Sequence, residues 1–97
     1  MRERNAAESK NGSKMRKSDE KIVAFLKEYR TVCEKYRAYI TGGIGAITCL
    51  WEMYPHQDAQ EEVYQNISEI IRELYDETGN SPLSDRRKNN ILKEVYP

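Results

Sequence analysis

Tyr36-Arg37-Ala38-Tyr39-Ile40-Thr41-Gly42-Gly43-Ile44-Gly45-Ala46-Ile47-Thr48-Cys49-Leu50-Trp51-Glu52-Met53-Tyr54-Pro55 is the stretch on which the fold turns. Tyr36 to Ile40 is aromatic and alternating, and three glycines follow within four residues. In Ala46 to Tyr54, the residues Ile47, Cys49, Trp51 and Met53 fall on one face at a period of two. Two β-favouring runs joined by glycines predict an antiparallel hairpin, which Pro55 stops. A two-stranded hairpin is not stable alone. It must lie on helices or pair its edge with another chain.

Helical patterns flank it. Ser18-Asp19-Glu20 has the form of a helix start, a capping side chain followed by acids. Ile22, Phe25, Leu26, Tyr29, Cys33 and Tyr36 then recur at steps of three and four, one apolar stripe. After the hairpin, Asp58-Ala59-Gln60-Glu61 has capping-box spacing. Val63, Ile67, Ile70, Ile71 and Leu74 form a second stripe, with Gly79 as the expected terminator. Ser81-Pro82 can open a short third helix carrying Leu83, Ile91, Leu92 and Val95. The expected fold is α+β: helix, two-stranded antiparallel hairpin, helix and short C-terminal helix in one domain, the helices covering one face of the sheet.

The 97 residues, 38% hydrophobic and 33% charged, fit one small domain. Residues 1–17, with six cations against two acids, are expected to form a basic flexible tail, and residues 18–97 the domain. That tail is +4, and the rest of this net-neutral chain is −4. No run approaches the ~20 apolar residues of a membrane span. The N-terminus lacks the apolar core of a signal peptide, so a cytoplasmic protein without membrane contact is expected. Cys33 and Cys49 fit two buried thiols there.

Chemistry is sparsely supplied. His56, the lone histidine, sits in a polar turn with no nucleophile placed beside it. Two separated cysteines and one histidine match no zinc spacing. No catalytic residue, metal or cofactor is expected, and the protein reads as a non-enzymatic binder.

Three surfaces compete for that role. Between Asp58 and Glu77 the acids Asp58, Glu61, Glu62, Glu69, Glu73, Asp76 and Glu77 face only Arg72. This predicts an acidic helix able to dock a basic protein site, through Glu61, Glu62, Glu69, Glu73 and Asp76, with Ile44 at the hairpin tip as an apolar plug. Arg37, Tyr39, Gly42, Gly43 and Gly45 offer backbone amides, a cation and a ring to a small nucleotide, linear or cyclic, though no phosphate-loop fingerprint is present. Arg16, Lys17, Arg86, Arg87 and Lys88 offer cations to nucleic acid, against which the neighbouring acidity argues. Seven tyrosines against one Phe and one Trp suit half-buried interface positions and favour a homodimer or higher oligomer.

The segment Val32-Cys33-Glu34-Lys35-Tyr36, with Tyr39-Ile40 and Gly42-Gly43-Ile44-Gly45 after it, resembles segments of short phage-encoded accessory proteins over about residues 22–54. That resemblance implies an inhibitor or adaptor that binds a host protein, antiviral defence components included, or a protein that sequesters a signalling nucleotide. It assigns no role to any single residue.

Overall fold

The computed structural model describes residues 15–42 and 48–97. In chain order they form α1 (Lys17–Tyr36), β1 (Ala38–Thr41), β2 (Cys49–Glu52), α2 (Ala59–Arg72) and α3 (Asp85–Val95). This is the α+β order read from the sequence. The expected tail residues 1–14, and Gly43, Ile44, Gly45 and Ile47 of the hairpin, lie outside the described residues.

Helix α1 starts on Arg16, not Ser18: Arg16 is the N-cap, without a side-chain cap bond. Its buried face is also rotated from the expected stripe. Asp19, Val23, Leu26 and Cys33 are buried, whereas Phe25 and Tyr36 are 66% and 67% exposed. The reason is that α1 packs on both α2 and α3. The Asp19–Val23–Leu26–Cys33 line is covered by that pair, and part of the apolar stripe is left outside.

Arg37 ends α1 in the left-handed region, at φ 55° and ψ 49°. Glycine is the usual occupant of such a position because a Cβ crowds the following carbonyl. Arg37 holds it with its side chain. Its guanidinium donates to the carbonyls of Tyr54 at 2.9 Å and Gln57 at 2.7 Å. The reversal aims the chain directly into β1.

The two strands pair antiparallel, with Ala38 opposite Glu52, Tyr39 opposite Trp51, Ile40 opposite Leu50 and Thr41 opposite Cys49. Gly42 continues the approach: a Cβ there would lie 3.3 Å from the Thr48 backbone. The helices do not cover a face of this sheet as expected. Among the described elements β1 lies against α1 and α2, while β2 lies against β1, and all four β2 residues are exposed. Of the expected inward row, Met53 is buried but Cys49 and Trp51 are exposed. The pair of buried thiols is therefore corrected to one, Cys33.

Helix α2 is capped by Asp58, whose carboxylate accepts from the amides of Gln60 and Glu61. It ends at Arg72 and not near Glu77. Beyond it, Tyr75 bridges Pro82, with Asp76 N–H donating to Ser81 and Leu83 N–H to Leu74. This short ladder takes Leu74 to Leu83 out of helix. Gly79, at φ 74°, turns the ladder and does not end α2. Pro82 belongs to the bridge, so α3 opens later than expected, on Ser84, whose hydroxyl accepts from Arg87 N–H.

The core lies between the three helices. Leu26 of α1, Val63 and Ile67 of α2, and Ile91 and Val95 of α3 are almost completely buried, with Cys33, Met53, Ile71 and Leu83 around them. Among the described residues no helix is long and apolar enough to cross a membrane.

Candidate functional site: the acidic stripe of α2 beside the hairpin

The hairpin is fixed to the helices by three side-chain bonds that close a ring. Ile40 N–H donates to the Tyr29 hydroxyl at 3.0 Å. That hydroxyl donates to Asn66 Oδ1 at 2.7 Å. Asn66 Nδ2 donates back to the Ile40 carbonyl at 3.0 Å. The outward backbone groups of Ile40 on the edge of β1 are thus satisfied by one residue of α1 and one of α2. Burial pushes the Tyr29 hydroxyl up to about 12, which keeps it a donor.

Asn66 shares its side of α2 with Glu62, Glu69 and Glu73, at steps of four, three and four. The ring therefore places this acidic stripe beside β1. The Tyr39 hydroxyl donates to Glu62 Oε1 at 3.4 Å. Its ionisation is pushed up by burial first and then by the charges of Glu62 and Glu69. Glu69 and Glu73 are exposed, and Glu73 is the C-cap residue of α2. Glu61 lies one position off the stripe, where Gln65 Nε2 reaches it at 3.5 Å.

The remaining acids do other work. Asp58 caps α2. Asp76 accepts from the Thr78 hydroxyl at 2.6 Å and from its amide, the hydroxyl bond being the larger cause of its lowered pKa. Glu77 is held down to about 2 by its own backbone amide, then by Arg16 and Arg87. The acidic element expected from Asp58 to Glu77 thus resolves into a stripe beside the hairpin and a separate cluster at the α2–α3 turn.

That turn also takes up much of the basic set. Arg87 grips the buried Asp19 with two bonds of 2.8 and 3.0 Å and reaches Glu77 at 3.0 Å. Arg16 binds Glu77 at 2.8 Å. Lys88 Nζ donates to the Arg72 carbonyl at 2.6 Å and so caps α2. Lys17 and Arg86 are exposed. Within the nucleotide set, Arg37 is turned onto the Tyr54–Gln57 loop, Tyr39 onto Glu62, and Gly42 against Thr48. Gly43 and Gly45 of that set, and the plug residue Ile44, are outside the described residues.

His56 stacks on Tyr54 with centroids 5.8 Å apart, and Trp51 meets Tyr54 edge-on at 6.1 Å. Among the described residues no group of three His, Cys, Asp or Glu is placed to hold a metal. The arrangement offers charge, exposed aromatic surface and backbone edges, the means of non-covalent recognition.

Asp19, Tyr29, Asn66 and Gln57 organise this region, and none was singled out for such a role from the sequence. Asn66 left a trace. It interrupts the run Val63, Ile67, Ile70 with an amide where the stripe calls for an apolar residue, the mark of a buried polar contact. Asp19 left none, since a first-turn acid is ordinary at a solvent-facing helix start. No protein-family model matches the chain, no curated protein matches its sequence, and no solved structure matches its fold.

Proposed function

We propose that the protein acts without catalysis, as a small inhibitor or adaptor of the phage or mobile-element type. It binds a basic site on a host protein through Glu62, Glu69 and Glu73 together with the adjoining hairpin. The observation that carries the reading is the 3.4 Å contact of Tyr39 with Glu62, which joins the acidic stripe to β1 as one continuous surface. A partner cation meets carboxylates there, and exposed Ile40 offers apolar area close by. Such a pairing gives rapid, salt-dependent association and rejects acidic competitors.

The test starts from the partner recovered on the immobilised protein from a host lysate. Its affinity is then measured by calorimetry for the wild type and for Glu69→Lys/Glu73→Lys. Both residues are exposed, so the double variant folds. Binding is expected to weaken at least tenfold, about 1.4 kcal/mol, with a shallower salt dependence. Equal affinity and equal salt dependence would remove the acidic stripe from the interface.

A further inference from the structure

The two edges of the hairpin are not equivalent. Met53 N–H donates to the Arg37 carbonyl, and the Ile40 amide and carbonyl bond to Tyr29 and Asn66. Antiparallel ladders alternate, so the pairs 37–53, 39–51 and 41–49 exchange bonds within the hairpin, and residues 38, 40, 50 and 52 turn their backbone groups outward. On β1 the outward groups of Ile40 are closed by side chains. On β2 the outward groups of Leu50 and Glu52 lie at the edge of a sheet whose order is β1–β2, open among the described residues. Leu50 is 65% exposed and Trp51 40%.

We infer that this edge of β2 pairs with the same edge of a second copy of the chain, joining two hairpins into a four-stranded antiparallel sheet across a two-fold axis. Three observations favour a second copy. An edge that pairs with itself is isologous, and closure of the opposite edge by Tyr29 and Asn66 stops growth at two copies. The strand carries one charge, Glu52, at its end. With the axis at Leu50, Leu50 faces Leu50 of the second copy and Glu52 faces the neutral Thr48, so no like charges meet. Finally, each copy contributes four strand residues. So short an edge gives an interface below ~1,200 Å², the size of a weak, concentration-dependent dimer.

The inference is independent of the host-partner reading and is tested on the full chain alone. Sedimentation is measured from ~10 μM to ~1 mM, the range in which a weak dimer titrates. Mass is expected to rise from monomer to dimer and stop there. Leu50→Lys, a charge on the pairing edge, is expected to weaken dimerisation by at least about tenfold. Hydrogen exchange identifies the face. The amides of Leu50 and Glu52 slow as concentration rises, while that of Trp51, bonded inside the hairpin, keeps its rate. A monomer throughout the range overturns the inference. So does a dimer that survives Leu50→Lys, or one whose Leu50 and Glu52 amides exchange independently of concentration.

Discussion

Removing one oxygen atom, by Tyr29→Phe, should loosen the hairpin from the helices. The Tyr29 hydroxyl accepts from Ile40 N–H at 3.0 Å and donates to Asn66 Oδ1 at 2.7 Å, so the variant loses two of the three bonds in the ring. Each such bond contributes a net ~0.5–1.5 kcal/mol. The two losses are unequal. Ile40 is exposed and water can replace its acceptor, whereas Asn66 is 8% exposed and its carbonyl oxygen is left with little access to water. A loss of about 2 kcal/mol follows. For a domain of this size that lowers Tm by about 8–16 °C, and the urea midpoint by about 1–2 M. The assay follows urea unfolding by two probes: helical circular dichroism for α1, α2 and α3, and fluorescence of Trp51, the single tryptophan, on β2. In the wild type the two curves are expected to coincide. In Tyr29→Phe the fluorescence curve should move to lower urea than the helical one. A double-mutant cycle with Asn66→Ala should show coupling of about 1 kcal/mol, because both side chains serve the same strand. A loss below ~0.5 kcal/mol, with the two curves still coincident, would refute the view that this ring holds the hairpin in place.

Three further outcomes are expected. Arg87→Ala leaves Asp19 buried with no cation and should cost about 3–5 kcal/mol by chemical denaturation, much of it restored by adding Asp19→Asn. Arg37→Ala should be less stable than Arg37→Gly by about 1 kcal/mol, since both lose the bonds to the Tyr54 and Gln57 carbonyls but only glycine accepts φ 55° freely. In alkali, thermal stability should begin to fall near pH 9, where unfolded Cys33 ionises while burial keeps the folded thiol protonated, and fall most steeply between pH 10 and 12. Tyr29 and Tyr96 are pushed up to about 12, mainly by burial, so above 10 the unfolded chain releases protons that the folded one keeps. Ultraviolet titration checks this, with two of the seven tyrosines ionising last.

Local pattern determined most of the elements. Alternation made the two strands, three- and four-residue spacing made the helices, and Asp58 fixed the start of α2, because these signals act within a few residues of themselves. Boundaries set by non-local bonds were not legible. Ser81-Pro82 has the form of a helix start, but Pro82 is drawn into a bridge with Tyr75, and that bridge also ends α2 before its acids run out. The charged residues divided in the same way. Sequence alone supplied an acidic segment and a basic set. Only the packing of α1 against α3 brought Arg87 onto Asp19, 68 positions away, and so used up a cation that composition left available.

The hairpin itself shows the limit most clearly. Its strands were determined by the residues from Tyr36 to Tyr54, since strand preference and turn chemistry are local. How it is held was decided by Tyr29 and Asn66, 11 and 26 positions from Ile40 in opposite directions along the chain. A hydrogen-bonding side chain on a helix has many potential partners, and only the fold selects one. That selection bonds Ile40 on one edge of the sheet, leaves the other edge open among the described residues, and sets the acidic stripe of α2 beside β1.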